Sequence, residues 1–169
     1  MAGILTQAMI AAALSSTAIV ATACEPPKVG ETEKVKIADK EFTLKLAIDD
    51  AARSKGLGGV TELPELGGML FVFPDSAVRS FWMKGCEIDI DIAFLDPFGI
   101  VTAVHTMPKE PPQDKGEPDQ SYANRLKKYS SLSPAQFAIE ARPGTFKALG
   151  IKRGTKIPLD LAKLKAAAK

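Results

Sequence analysis

Residues 81–95 read Phe-Trp-Met-Lys-Gly-Cys-Glu-Ile-Asp-Ile-Asp-Ile-Ala-Phe-Leu. Successive side chains of a strand point to opposite faces, so this stretch predicts one long strand with an acidic face (Glu87, Asp89, Asp91) and an apolar face (Cys86, Ile88, Ile90, Ile92, Phe94). Asp96-Pro97-Phe98-Gly99 is a turn composition that would lead into a second strand over 100–107. Upstream, Gly67-Gly68 precedes the apolar run 69–73, a buried strand expected to stop at Pro74. Further upstream, Val35 to Ile37 and then Phe42, Leu44, Leu46 and Ile48 alternate around Ala38-Asp39-Lys40, which predicts a hairpin with one buried face.

Between these strands, Asp49 or Asp50 is placed to cap a short helix over 51–55, with Gly56 to end it. Residues 108–127 hold four prolines and many charges without periodicity and read as a long loop or lid. Phe137, Ile139 and Ala141 alternate in another strand. Arg142-Pro143-Gly144 turns the chain into a helical turn over 145–149, with Gly150 as its stop, and 155–159 reads as a last strand. Asp160 is positioned to cap a C-terminal helical tail over 160–169. The sum is a mainly β (α+β) single domain, small and barrel- or sandwich-like with short helices, over 35–159.

The chain has 169 residues, 46% hydrophobic and 25% charged, enough for one ordinary domain with its own core. A net charge of +2 carries no nucleic-acid footprint. One histidine, His105, and two cysteines cannot build a four-ligand Cys/His zinc site, and the glycine-rich phosphate-binding strings do not occur, so no cofactor is expected.

From Met1 to Cys24 no residue is charged, and the apolar stretch ends in Ala21-Thr22-Ala23, which reads as an export signal over 1–23. Cysteine directly after small residues resembles a bacterial lipoprotein box, which would lipidate Cys24 and hold the protein on the outer side of a membrane through a tether over 24–34. Soluble export after Ala23, an uncleaved membrane helix and a plain cytoplasmic helix are the alternatives. With Cys24 lipidated, Cys86 would have no intramolecular partner and is expected as a buried, inert thiol.

Three blocks resemble one family. Arg53-Ser54-Lys55-Gly56-Leu57 and Gly68-Met69-Leu70-Phe71 are similar to its Arg-x-x-Gly-Leu-Met and Gly-Met-Leu-Phe signatures. Phe81-Trp82-Met83-Lys84 with Ile88, Asp91, Ile92 and Phe94 resembles its central motif, and Leu-Glu-x-x-x-Gly is echoed at Ile139-Glu140 and Gly144. The chain departs from the pattern at Gly85-Cys86 and Asp89, where the family has Asn-Thr and Pro. The chain is thereby identified as similar to the uncharacterised proteins called domain of unknown function 192. The resemblance implies a compact, mainly β domain, frequently exported or membrane-tethered, with no established activity.

Several residues are candidates for chemistry. The acidic face of 81–95 would either hold Ca²⁺ or be a solvated sheet face. Trp82 with Met83 would wall a pocket, unless the lone tryptophan packs into the core. Lys84 and Arg53 would bind an anionic group, and Arg53 would alternatively pair with Glu140, which lies among apolar neighbours and needs a partner if buried. Cys86 and His105 flank the 96–99 turn at nearly matched distance, as cross-strand neighbours would. The leading expectation is a non-enzymatic binding domain for a small molecule or an envelope protein, with its site among Arg53, Trp82, Met83, Lys84, Asp91, Glu140 and the loop after Pro108. An envelope hydrolase using Asp91, Glu140 or His105, with no other catalytic residue assigned, and a purely structural assembly module are the other two readings.

Overall fold

A computed structural model describes residues 32–169. The expected signal segment, the lipidation site Cys24 and most of the expected tether lie outside the described residues. Thr32–Ile37 (β1) and Lys40–Ala47 (β2) form the predicted antiparallel hairpin, so the last three residues of the 24–34 segment belong to the sheet. Only one face of this hairpin is covered, and Val35, Ile37, Phe42, Leu44 and Leu46 are buried in alternation with exposed neighbours.

Asp49 caps helix α1 (Asp50–Lys55) by accepting from the Ala52 N–H at 2.8 Å, and Gly56 ends it at φ 50. The helix carries the chain across to β3 (Gly67–Ala77), which lies parallel to β2. β3 does not stop at Pro74: its pairing with β8 (Ala135–Ala141) shifts register between Val72 and Ala77, an irregularity that accommodates a residue without an N–H.

The expected long strand over 81–95 is broken. Ser80–Phe81 (β4) pairs with Tyr129–Ser130 (β7) in a separate ribbon, 82–89 forms a loop turned at Gly85 (φ 69), and only Ile90–Leu95 (β5) joins the main sheet. β5 pairs with β6 (Val101–Met107) and with β8, completing an open six-stranded sheet in the order β1-β2-β3-β8-β5-β6. Among the described residues β1 and β6 are the edges and the sheet is open, the sandwich-like form of the α+β fold expected.

Both faces of the central strands are covered, so all six residues of β5 and all seven of β8 are buried. On one face Phe146 of α3 (Thr145–Ala148) and Leu164 and Ala167 of α4 (Leu161–Ala167) pack on Leu70, Val72, Leu95, Phe137 and Ile139. The tail helix is therefore part of the domain core, capped as expected by Asp160. On the other face Leu57, Met83 and Tyr129 pack on Phe71, Ile90, Ile92, Phe94 and Ala138.

The presumed loop over 108–127 contains helix α2 (Asp119–Arg125), whose Tyr122 is buried and whose Arg125 pairs with Glu117 at 2.8 Å. The expected last strand over 155–159 is reduced to an isolated bridge between Ile100 and Lys156. Among the described residues no helix is long and apolar enough to cross a membrane.

Candidate functional site

A cleft of about 440 Å³ opens on the second face, between α1, the irregular end of β3 and the 82–86 loop. Its walls are aromatic: Phe81 meets Phe71 edge-on at 4.9 Å and Phe73 at 6.3 Å, and Trp82 stands at the rim. The chain reaches this arrangement because Phe71 and Phe73 lie two apart on β3 and share its cleft face.

Glu140 of β8 lies in the same cleft and is only 5% exposed. Its cross-strand neighbours are Met69 on β3 and Ile92 on β5, both apolar. Among the described residues Glu140 Oε2 is buried without a hydrogen-bond partner, and burial pushes the carboxyl up to about 8, so near neutrality the side chain is a neutral acid. A buried polar atom left unpaired costs about 1–3 kcal/mol, which marks Glu140 as a residue the fold alone does not account for. Close beside it, Gly68 is fixed by the β3–β8 approach, since a Cβ there would stand 2.0 Å from the Glu140 carbonyl oxygen.

Of the residues expected at the site, the cleft unites Arg53, Trp82, Lys84 and Glu140, while Met83 is buried in the neighbouring core. Trp82 is not a core residue: it is 40% exposed, with the Lys128 ammonium 3.3 Å from its ring centroid and Lys84 5.8 Å from it. Lys84 also faces the Tyr122 ring at 5.9 Å. Asp91 is elsewhere. It is 1% exposed on the opposite face of the sheet, accepting from Thr106 Oγ1 at 2.7 Å and from the Phe146 N–H at 3.2 Å.

Arg53 does not pair with Glu140. Its guanidinium donates to the Val72 carbonyl (2.8 Å), the Lys169 carbonyl (2.6 Å) and Asp50 (2.7 Å), so it fastens α1 to β3 and to the end of the described chain. Arg79 lies 4.1 Å over the Phe73 ring and is held by Asp75. Arg79 and Phe73 stand outside the sequence expectations for the site, and Phe71 and Phe81 enter them only as members of the quoted motifs, although the spacing of Phe71 and Phe73 places both on one face.

The candidate Cys86–His105 cross-strand pair does not form. Ile92, not Cys86, stands opposite His105, whose Nε2 lies 2.7 Å from the Ser130 carbonyl oxygen and whose ring packs against Phe94 and Tyr129. Glu140 and His105 flank β5 on either side of Ile92, so two strand spacings, roughly 10 Å, separate them. Cys86 is half-buried at the cleft, and burial, with the Glu140 and Glu87 carboxyls nearby, pushes its thiol up to about 11. It is a protonated, unreactive thiol at neutral pH.

The three carboxylates of the supposed acidic face do not converge. Lys109 donates from its side chain to Glu87 and from its backbone to Asp89, each at 2.7 Å, and Asp91 is turned into the core. Among the described residues no group of three or more His, Cys, Asp or Glu side chains is placed to hold a metal ion. A second depression, of about 430 Å³, lies at Phe42, Leu66 and Leu149, where the carboxylate, Glu65, is paired with Lys40.

Two crystal structures share this fold. One is from Sinorhizobium meliloti 1021, and its description proposes a transcription regulator; it is 23% identical with a TM-score of 0.59, and the match covers 74% of this chain and 89% of that one. The other is a protein of unknown function from Novosphingobium aromaticivorans DSM 12444, 22% identical with a TM-score of 0.58, covering 75% of this chain and 82% of that one. At these identities the likeness is one of fold alone. No curated protein matches the chain. The sequence model of one family, domain of unknown function 192 (uncharacterized ACR), matches residues 33–159, and it is the family that the blocks at Arg53, Gly68, Phe81–Lys84 and Glu140 resemble. The chain belongs to the domain of unknown function 192 family.

Proposed function

We propose that this domain is a non-enzymatic binding module, tethered through Cys24 on the outer side of a bacterial membrane, whose cleft takes a small molecule. The observation that carries the binding reading is the buried, unpartnered Oε2 of Glu140 in a cleft walled by aromatic rings. An apolar pocket with a few convergent polar groups is the usual form of a ligand site. The unpaired atom supplies a reason for a ligand to stabilise the fold. Separation of Glu140 from His105 and the protonated state of Cys86 favour binding over hydrolysis. The tether rests on the uncharged leader and on Cys24 following Ala21-Thr22-Ala23.

Native mass spectrometry of the membrane-extracted full chain tests both parts. The expected result is a polypeptide beginning at a lipidated Cys24 and carrying one small molecule that is lost on denaturation. A full-length unlipidated mass would remove the tether, and a protein with no adduct, purified with a stoichiometric protein partner instead, would turn the reading toward an assembly module.

A further inference from the structure

We propose that the cleft selects a compact, uncharged aromatic molecule bearing a carboxamide, with the amide paired to the Glu140 carboxyl and the ring held among Phe71, Phe73, Phe81 and Trp82. This assignment of ligand class rests on the binding-module reading above.

The deep end of the cleft sets the polar group. Glu140 lines the cleft between Met69 and Ile92 with Oε2 buried and unpaired, so a ligand toward which the carboxyl turns must supply the missing hydrogen bond in apolar surroundings. A carboxylic acid that keeps its proton donates through one oxygen and accepts through the other, and a carboxamide offers the reciprocal acceptor and donor. An ammonium group would force ionisation of Glu140 and burial of an ion pair, whose desolvation is costly. An anion at the same depth would add a buried charge with no counterion.

The walls and rim set the rest. The edge-to-face rings at 4.9 and 6.3 Å suit another flat ring. From α1 the cleft is faced by Asp50, Arg53 and Lys55, and from the end of β3 and the turn after it by Asp75 and Arg79. From the 82–89 loop come Lys84 and Cys86, with Glu87 close enough to act on Cys86. The cationic groups outnumber Asp50 and Asp75, which disfavours entry of a cation. The Cys86 thiol, pushed up to about 11, keeps its proton through pH 9.

The chain has one tryptophan, and it stands at this rim, so its fluorescence reports occupancy directly. The test titrates wild-type protein with benzamide, benzoate and benzylamine at pH 6 and pH 9, and repeats the benzamide series with Glu140→Gln. Benzamide is expected to bind saturably and more tightly than either charged probe at pH 6. Binding should weaken about tenfold at pH 9, where only a minor fraction of Glu140 with a value near 8 retains its proton. Glu140→Gln, which keeps a donor and an acceptor but does not titrate, should bind benzamide equally at both pH values. Tighter binding of benzoate or benzylamine at pH 6, or pH-independent benzamide binding by the wild type, overturns the ligand class and leaves the cleft as a binding site. No saturable response to any probe overturns both.

Discussion

Two buried carboxyls lie on adjacent central strands and face opposite ways. Asp91 on β5 has its hydrogen bonds supplied from within the fold, by Thr106 and by the Phe146 N–H of the helix that covers its face. Glu140 on β8, one register position away across the same pair of strands, has an oxygen with none. A buried carboxyl can thus be a structural tie or an unfinished contact, and depth alone does not distinguish them. The partner list does.

The comparison can be broken most severely at the strand pairing that positions Glu140. Gly68→Ala would drive a Cβ to within 2.0 Å of the Glu140 carbonyl oxygen, a backbone atom that cannot step aside. We expect a loss of about 4 kcal/mol or outright failure to fold, read from urea midpoints. Asp91→Ala leaves the Phe146 N–H and the Thr106 hydroxyl without their acceptor and should cost about 3 kcal/mol. If Asp91→Ala were neutral, the tie between α3 and the sheet would be unimportant.

Glu140→Met makes the opposite prediction. Removing an unpaired polar group of similar length should leave the unliganded protein as stable or more stable by about 1–2 kcal/mol near neutral pH, while ligand binding is lost. The pH dependence sharpens this. Glu140 is raised from an ordinary value of 4.5 to about 8, so between those values the native state holds a proton that the unfolded chain has released. Stability from this group is present below about 4.5, falls as pH rises, by up to about 1.4 kcal/mol per pH unit, and levels off above about 8. Denaturation midpoints of the wild type should carry this slope and those of Glu140→Gln should not. The smallest effect is expected at the rim: Lys84→Ala, on an exposed side chain near the Trp82 and Tyr122 rings, should change stability by less than about 0.5 kcal/mol.

What was legible in the sequence was what local chemistry decides. The β1–β2 hairpin alternates because one of its faces meets water, Asp49 and Asp160 cap helices through their own oxygens, and Asp96 organises its turn by accepting from the Phe98 and Ile100 N–H groups. The 81–95 stretch misled because its alternation looked the same while the strand lay in the middle of the sheet. Covered on both faces, β5 buries Asp91 as fully as Ile92, and the acidic face never forms. Helix α2 escaped notice because Tyr122 is its single buried residue, which cannot set a period.

The site divides in the same way. Trp82, Lys84 and Glu140 could be gathered from the family motifs, and they do meet in one cleft. Arg53 borders that cleft but is engaged by two backbone carbonyls that no sequence pattern indicates. The pairing of Cys86 with His105 failed because Gly85 turns the chain before the strand begins, which removes Cys86 from the ladder altogether.

The most direct measurement is a carboxyl titration by NMR on protein labelled with ¹³C at the glutamate side chains, comparing wild type with Glu140→Gln. We predict one resonance titrating near pH 8, absent from the variant, while the protein remains folded throughout. If every glutamate instead titrated in the ordinary carboxylate range, Glu140 would be solvated or paired, and the contrast with Asp91 would disappear.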